Sequence, residues 1–169
     1  TNLETYQSRF WLKEESLKKI GKSSSGFLLE LFSRVEALVD QDLVYYDHQM
    51  DMETCFEKYS FHEFKWHQTP NGDMEWVFML NRQGYLVDLA VASYVTKDEK
   101  YLKKWKEIVF DFILENEEEI SHPEASWRVL DAGIRLMNWM KSLTYLPLSE
   151  FSEVERNQIQ EAMTLNANY

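Results

Sequence analysis

From its fifth tryptophan to its sixth the chain runs Trp127-Arg128-Val129-Leu130-Asp131-Ala132-Gly133-Ile134-Arg135-Leu136-Met137-Asn138-Trp139. At helical spacing Arg128, Asp131, Arg135 and Asn138 fall at i, i+3, i+7 and i+10, one row along a helix. The rest of that surface is Leu130, Ile134, Leu136, Met137, Trp139 and Met140. A helix apolar nearly all round belongs in an interior. Burying guanidiniums, a carboxylate and an amide there is costly unless each finds a partner. Such a row either faces something polar, a cleft or a ligand, or satisfies itself, with Asp131 pairing Arg135 at i+4 and Arg128 at i−3. The two readings are compatible, because Asp131 can hold one arginine in place for an anion.

Working outward, long stretches of 3.6-residue periodicity dominate, and only five Gly and three Pro interrupt them. The fold class is all-α, with residues 1–169 as a single helical domain. Helices are expected over Leu3–Ile20 and Ser25–Gln41, separated by the turn Gly21-Lys22-Ser23-Ser24-Ser25-Gly26. Residues 59–75 differ: Phe61, Phe64, Trp66, two His, Pro70 and Asn71-Gly72 make an irregular, aromatic-rich loop of the kind that is often functional. Beyond it the helices alternate in character. Leu80–Tyr94 is apolar on most sides. Glu99–Glu115 is amphipathic, with Tyr101, Leu102, Trp105, Ile108, Val109, Phe112 and Ile113 on one face. Glu124–Leu146 is again mostly apolar. Glu150–Tyr169 is polar-rich, with Ser149 or Ser152 as its N-cap. That alternation predicts two layers of antiparallel helices, Leu80–Tyr94 and Glu124–Leu146 inside and Glu99–Glu115 outside.

The formal charge of -11 speaks against a nucleic-acid partner, which needs a basic surface. An acidic polysaccharide would feel the same repulsion, so binding one would fall to locally placed Arg and Lys. The six Trp, nine Tyr and ten Phe are enough to line a carbohydrate cleft, although most must fill the core. The lone Cys55 excludes an internal disulfide and a cysteine-rich metal site. No apolar run is long enough for a membrane span. The chain opens on Thr1 and closes on Asn168-Tyr169 inside a helical pattern, so we expect a piece of a longer protein. On that expectation the missing export signal says nothing of compartment.

Chemistry-bearing motifs are few. His48, His62, His67 and His122 form no metal-spaced pair, and there is no phosphate loop, nucleophile elbow or cofactor signature, so no metal and no cofactor is expected. His62 and His67 are the best placed of the four, inside the aromatic loop. Asn81 and Arg82 stand where the first apolar helix is expected to begin, just after that loop. Amide and guanidinium groups suit sugar hydroxyls and carboxylates; a local cap and an interhelix pair are the plainer alternatives. The acidic run Glu115–Glu119 reads as a solvated helix end.

The pieces Glu75-Trp76, Leu80-Asn81-Arg82, Ala92 to Tyr101, Trp105, Phe112-Ile113, Asn116, Trp127 to Arg135 and Asn138-Trp139 stand in an order that resembles the N-terminal domain of the heparinase II/III-like polysaccharide lyases. The resemblance implies an incomplete α/α toroid of helical hairpins, followed in the parent by β-sandwich domains. It implies an enzyme that cleaves uronic-acid-containing polysaccharide, of the heparin or heparan sulfate kind, by β-elimination. A base takes the C5 proton, an acid protonates the leaving oxygen, and an Asn or Arg neutralises the carboxylate. The groups of that reaction are expected downstream of this chain, so no catalytic residue is assigned here, and Asn166 and Asn168 are left unassigned. The candidate substrate-binding set is Asn81, Arg82, Trp127, Arg128, Asp131 and Arg135. The expected partners are the acidic polysaccharide and the remainder of the parent chain. Two other functions stay open. A toroid glycoside hydrolase would need paired carboxylates, for which Asp73, Glu75 and Asp131 are available. A non-catalytic helical carbohydrate- or protein-binding domain would use its aromatics as core.

Overall fold

The computed structural model describes residues 25–44, 58–61, 66–116 and 122–169, with Leu3, Thr5 and Lys19. Apart from those three residues, the helix expected over Leu3–Ile20 lies outside the described residues, as do the turn after it up to Ser24 and His48, Cys55, His62 and Phe64. The elements are α1 (Ser25–Gln41), β1 (Leu43–Val44), β2 (Tyr59–Ser60), α2 (Met74–Arg82), α3 (Tyr85–Thr96), α4 (Glu99–Glu115), α5 (Val129–Leu143), a 3-10 turn (Leu148–Glu150) and α6 (Glu153–Asn168). The two strands are two residues each and pair antiparallel, Leu43 with Ser60 and Val44 with Tyr59.

Side-chain caps set several of the helix starts. Asp73 accepts from Glu75 N at 2.9 Å to open α2, and Asp98 accepts from Lys100 N at 3.0 Å to open α4. Of the two serines expected at the last helix, Ser152 is the cap, closing a capping box with Glu155. The turn into α2 is built by Asn71, whose Oδ1 accepts from Thr69 Oγ1 and Asp73 N, each at 2.9 Å, with Gly72 at φ 84°.

Helix α3 sits at the centre, against α1, α4 and α5, while α5 packs on α2, α3 and α6. Helices α1 and α4 cover α3, with Glu99–Glu115 outside as the alternation predicts, and α6 covers one side of α5, whose Val129, Leu130 and Met137 stay exposed. Residues Leu86, Leu89, Ala90 and Ala92 of α3 are fully buried, and so are Trp105, Ile108 and Val109 of α4. A buried Arg34–Asp88 pair, Nε to Oδ2 at 2.7 Å, ties α1 to α3. Among the described residues no helix is long and apolar enough to cross a membrane.

Two expectations need correcting, and a third gains detail. The chain does not run as one helix through Leu80–Tyr94. It breaks at Gln83, which takes a left-handed conformation (φ 54°) and donates its N–H to Leu80 O. Asn81 and Arg82 therefore close α2 rather than begin an inner helix. The break is tolerated because the Gln83 Oε1 is engaged, accepting from Trp139 Nε1 at 2.6 Å. Secondly, α5 spans only Val129–Leu143; residues 123–126 are a turn, capped by Ala125 N and Ser126 N donating to His122 O. Thirdly, the aromatic loop contributes to the core. Phe61 and Trp66 are buried edge-on to one another, and Trp66 is edge-on to Phe112 of α4.

Candidate functional site

The row on α5 holds together as a row, but it faces into the protein. Asp131, Arg135 and Asn138 are buried, and the apolar Val129, Leu130 and Met137 are left outside. Arg135 has no exposure at all. Its guanidinium lies between the rings of Phe112 and Trp127, 4.4 and 4.6 Å from their centroids. Its Nη1 donates to Asn81 O at 3.0 Å and Ser126 O at 2.9 Å, and its Nε donates to Asn166 Oδ1 at 2.8 Å. The pairing of Asp131 with Arg135 at i+4 is replaced by these longer-range bonds. Burial pushes the Arg135 pKa down to about 9, against the fields of Asp131 and Tyr85, which still leaves it charged at neutral pH.

The neighbouring polar groups serve the same interior. Asn81 donates to Trp66 O at 2.6 Å and Val77 O at 2.9 Å, fastening the aromatic loop to α2. Asn138 donates to Arg82 O at 2.8 Å and so covers the open carbonyl end of α2. Trp127 is buried, with Nε1 donating to Asn116 Oδ1 at 2.6 Å. Asn166, left unassigned by sequence, is the Arg135 partner on α6.

Arg82 and Arg128 behave differently. Helix α2 presents Glu75, Phe78 and Arg82 at i, i+3 and i+7, and this stripe meets the first turn of α5. Arg82 Nε donates to Asp131 Oδ1 at 2.7 Å and its Nη1 to Glu75 Oε1 at 3.0 Å. Arg128 Nε stands 3.5 Å from Asp131 Oδ2, and its guanidinium lies flat on the Phe78 ring, 3.6 Å from the centroid. One fully buried carboxylate thus holds two arginines, at a helix N-terminus that itself favours negative charge. The arginine side chains are 17% and 34% exposed, so they alone of the candidate set reach solvent. Burial lowers the Arg82 pKa, and the bonds and fields of Asp131 and Glu75 outweigh it, leaving the pKa above its ordinary value.

Sequence reasoning had Arg128 with Asp131 from their i, i+3 spacing. It missed Phe78 as the platform, although the spacing of Glu75, Phe78 and Arg82 is itself a signal. The carboxylates available for hydrolysis are already committed: Asp73 caps α2, and Glu75 and Asp131 both hold Arg82. His67 stacks on His122 with centroids 3.6 Å apart. Among the described residues no group of three His, Cys, Asp or Glu is placed to share a metal ion. The two larger concavities are lined by neither Arg82 nor Arg128. One of about 160 Å³ between α4 and α6 is lined by Phe112, Asn116, Trp127, Gln158 and Asn166. Another of about 390 Å³ lies beside Tyr94, Lys97, Tyr145 and Glu150.

This arrangement is similar to two solved structures of heparan sulfate lyase HepC from Pedobacter heparinus, the second of a mutant. Their TM-scores are 0.72 and 0.71, each at 18% identity, and each match covers 99% of this chain and 26% of that chain. The present chain therefore spans about a quarter of the lyase it matches. At that identity the likeness is one of fold, and with the two helical layers it makes the chain an incomplete α/α toroid of antiparallel hairpins. No curated protein matches it. A family model described as Heparinase II/III N-terminus matches residues 11–165, and the chain belongs to that family.

Proposed function

We propose that the chain is the N-terminal toroid domain of a polysaccharide lyase acting on uronic-acid-containing polysaccharide of the heparin or heparan sulfate kind, and that Arg82 and Arg128 form part of the wall of its substrate cleft. The observation that carries this reading is the pair of partly exposed guanidiniums from two separate elements, fixed side by side by the buried Asp131. Preorganised guanidiniums suit the carboxylates and sulfates of such a polymer, which they bind through paired N–H groups. Family membership and the heparan sulfate lyase among similar folds support the reaction class.

In β-elimination the C5–H and C4–O bonds break, a C4–C5 double bond forms, and the leaving oxygen takes a proton. The base and acid for those transfers belong to parts of the parent outside this chain. What this chain supplies is positioning. Arg82 and Arg128 bind the polymer's anionic groups, Asp131 and Phe78 orient the arginines, and Asn81, Trp127 and Arg135 hold α2 and α5 in register beneath them.

The test is a binding measurement with heparan sulfate oligosaccharides. Arg128→Ala should weaken binding about tenfold or more, since a charged hydrogen-bonded contact is worth about 1.5–3 kcal/mol and about 1.4 kcal/mol is one decade. Its melting temperature should move little. Unchanged affinity in that variant would remove the wall from the cleft. The 169-residue chain by itself, given heparan sulfate, heparin or alginate, should release no unsaturated product absorbing in the near ultraviolet. Robust eliminase activity would show that the catalytic groups lie within it.

A further inference from the structure

Arg82 is held by two carboxylates of unequal standing. Asp131 has no exposure, sits in the first turn of α5 and serves both arginines, so removing it would strand buried charge. Glu75 lies at the second residue of α2 with its side chain 26% exposed. Among the described residues its carboxylate has Arg82 as its sole partner, through Nη1 at 3.0 Å. The geometry points to Glu75 as an internal stand-in for the ligand: an exchangeable counter-ion on Arg82 that an incoming carboxylate or sulfate displaces, and that thereby sets how tightly the arginine pair takes an oxyanion.

This inference rests on the reading that Arg82 and Arg128 face an acidic ligand, and deepens it by naming the residue that tunes them. Swinging Glu75 outward costs little, because it exchanges one partly exposed ion pair for another. The exchange leaves Nη1 of Arg82 with only its weak contact to Met79 Sδ at 3.0 Å. With Nη2 it then presents the two-pronged edge that matches a carboxylate or sulfate. Nε stays on Asp131, so the guanidinium keeps its orientation. Arg128 adds a second positive group, its face covered by Phe78 and its terminal nitrogens without a partner among the described residues. With Glu75 in place the cluster holds two positive and two negative charges, and a ligand gains nothing from net attraction. With Glu75 neutralised it carries one positive charge, and the chain's formal charge of -11 is reduced by one.

Glu75→Gln should therefore tighten binding rather than weaken it, by about fivefold for one surface charge contact. Titrate the wild-type chain, Glu75→Gln and Glu75→Ala with inorganic sulfate and with a heparan sulfate oligosaccharide, reading affinity and the thermal midpoint in parallel. Both variants should bind sulfate several-fold tighter with an unmoved midpoint, and Arg128→Ala in the Glu75→Gln background should reverse the gain. Sulfate binding that is unchanged, weakened or absent in Glu75→Gln overturns the proposal and makes Glu75 a positioning residue. If both Glu75 variants gain sulfate but no protein binds the oligosaccharide, the exchangeable counter-ion stands and the polysaccharide reading falls. Equal oligosaccharide affinity in wild type and both variants does the reverse. The alanine variant guards against a specific effect of the new amide.

Discussion

Helices α4 and α5 lie in the same stack, yet they bury different chemistry. In α4 the inner face is Tyr101, Leu102, Trp105, Ile108, Val109 and Phe112; of the charged side chains, Lys104 pairs with Asp42 and Glu107, and Lys106 with Glu155 of α6. In α5 the inner face carries Asp131, Arg135, Asn138 and Ser142 beside Ala132, Trp139 and Leu143, while Val129 and Leu130 stand 71% and 57% exposed. Apolar packing tells a helix to be buried but tolerates small slides and swaps. The α5 contacts do not. Asn81 O, Arg82 O, Ser126 O and Asn166 Oδ1 each meet one donor from Arg135 or Asn138, so α5 fits α2 and α6 in one register. The difference teaches that the outer layer supplies burial and the inner layer supplies the alignment that brings Arg82 to Arg128.

The sharpest way to break this contrast is a pair of conservative substitutions. Arg135→Lys keeps the charge but loses the fork that reaches three acceptors at once, and should cost about 3 kcal/mol or more. Ile108→Val in α4 removes one methylene from an equally buried site and should cost about 0.5–1.5 kcal/mol. Urea unfolding of both variants measures the gap, and equal costs would put α5 on the same footing as α4. Next in size is Asp131→Asn, expected to lose about 2 kcal/mol by weakening the charged hydrogen bond to Arg82 and removing the ion pair with Arg128. It should also lower anion affinity, since the two guanidiniums would no longer be held together.

These pairings also explain what sequence could and could not disclose. Burial of α3 and the one-sided face of α4 were legible, because apolar spacing is a local property and both helices obey it. The last helix's cap was legible only as Ser149 or Ser152, and the capping box with Glu155 selects Ser152. The break at Gln83 was not: glutamine is a good helix former, and its left-handed turn is supported by Trp139, 56 residues away. The sequence pattern starts α5 too early because Ala125 in the turn and Trp127 just after it are buried and look like helix core. Asp131 with Arg128 could be read from three-residue spacing. Arg82 with Asp131, 49 residues apart, and Arg135 with Asn166, 31 apart, could not. The inverted polarity of α5 follows from those unseen partners, since a buried polar row needs acceptors that other elements provide.

A smaller effect separates the outer layer by pH. The Tyr101 hydroxyl donates to Glu36 on α1, and Lys100 Nζ donates to the same carboxylate at 2.7 Å. Lys100 and Tyr101 hold the Glu36 pKa below its ordinary value. Burial and the bond to Glu36 raise the Tyr101 pKa from 10.0 to about 12. A raised pKa means the folded state keeps its proton longer. The stability from the Tyr101 phenol is complete below about pH 10 and is lost as pH climbs from there to about 12. For Glu36 the sign reverses, and its contribution fades on acidification below the ordinary carboxylate range. Tyr101→Phe should flatten the alkaline step in urea midpoints, and an unchanged step would place the titration elsewhere, Tyr145 being the other phenol that burial raises. Arg135, lowered only to about 9 and hemmed by carbonyls, gives α5 no such step near neutrality.

The smallest expected effect lies on the outer face of α5, and it bears most directly on the contrast. Apolar spacing alone assigns Leu130 to the core, where replacing a leucine with a short or polar side chain costs about 2–5 kcal/mol. The structure leaves it 57% exposed, next to Val129 at 71%. An exposed side chain has already forgone most of the transfer energy that burial would give. Leu130→Gln in this 169-residue chain should therefore change unfolding free energy by no more than about 0.5 kcal/mol, the range of ordinary surface substitutions. Glutamine keeps the helix propensity close to that of leucine, so the result reports on burial and not on the backbone. Leu102→Gln, on the inner face of α4 and buried, is the matched control and should cost several times more. A loss above about 2 kcal/mol for Leu130→Gln would mean that α5 is held by its apolar side after all. The polar row would then be a passenger, and the alignment of Arg82 with Arg128 would need another cause.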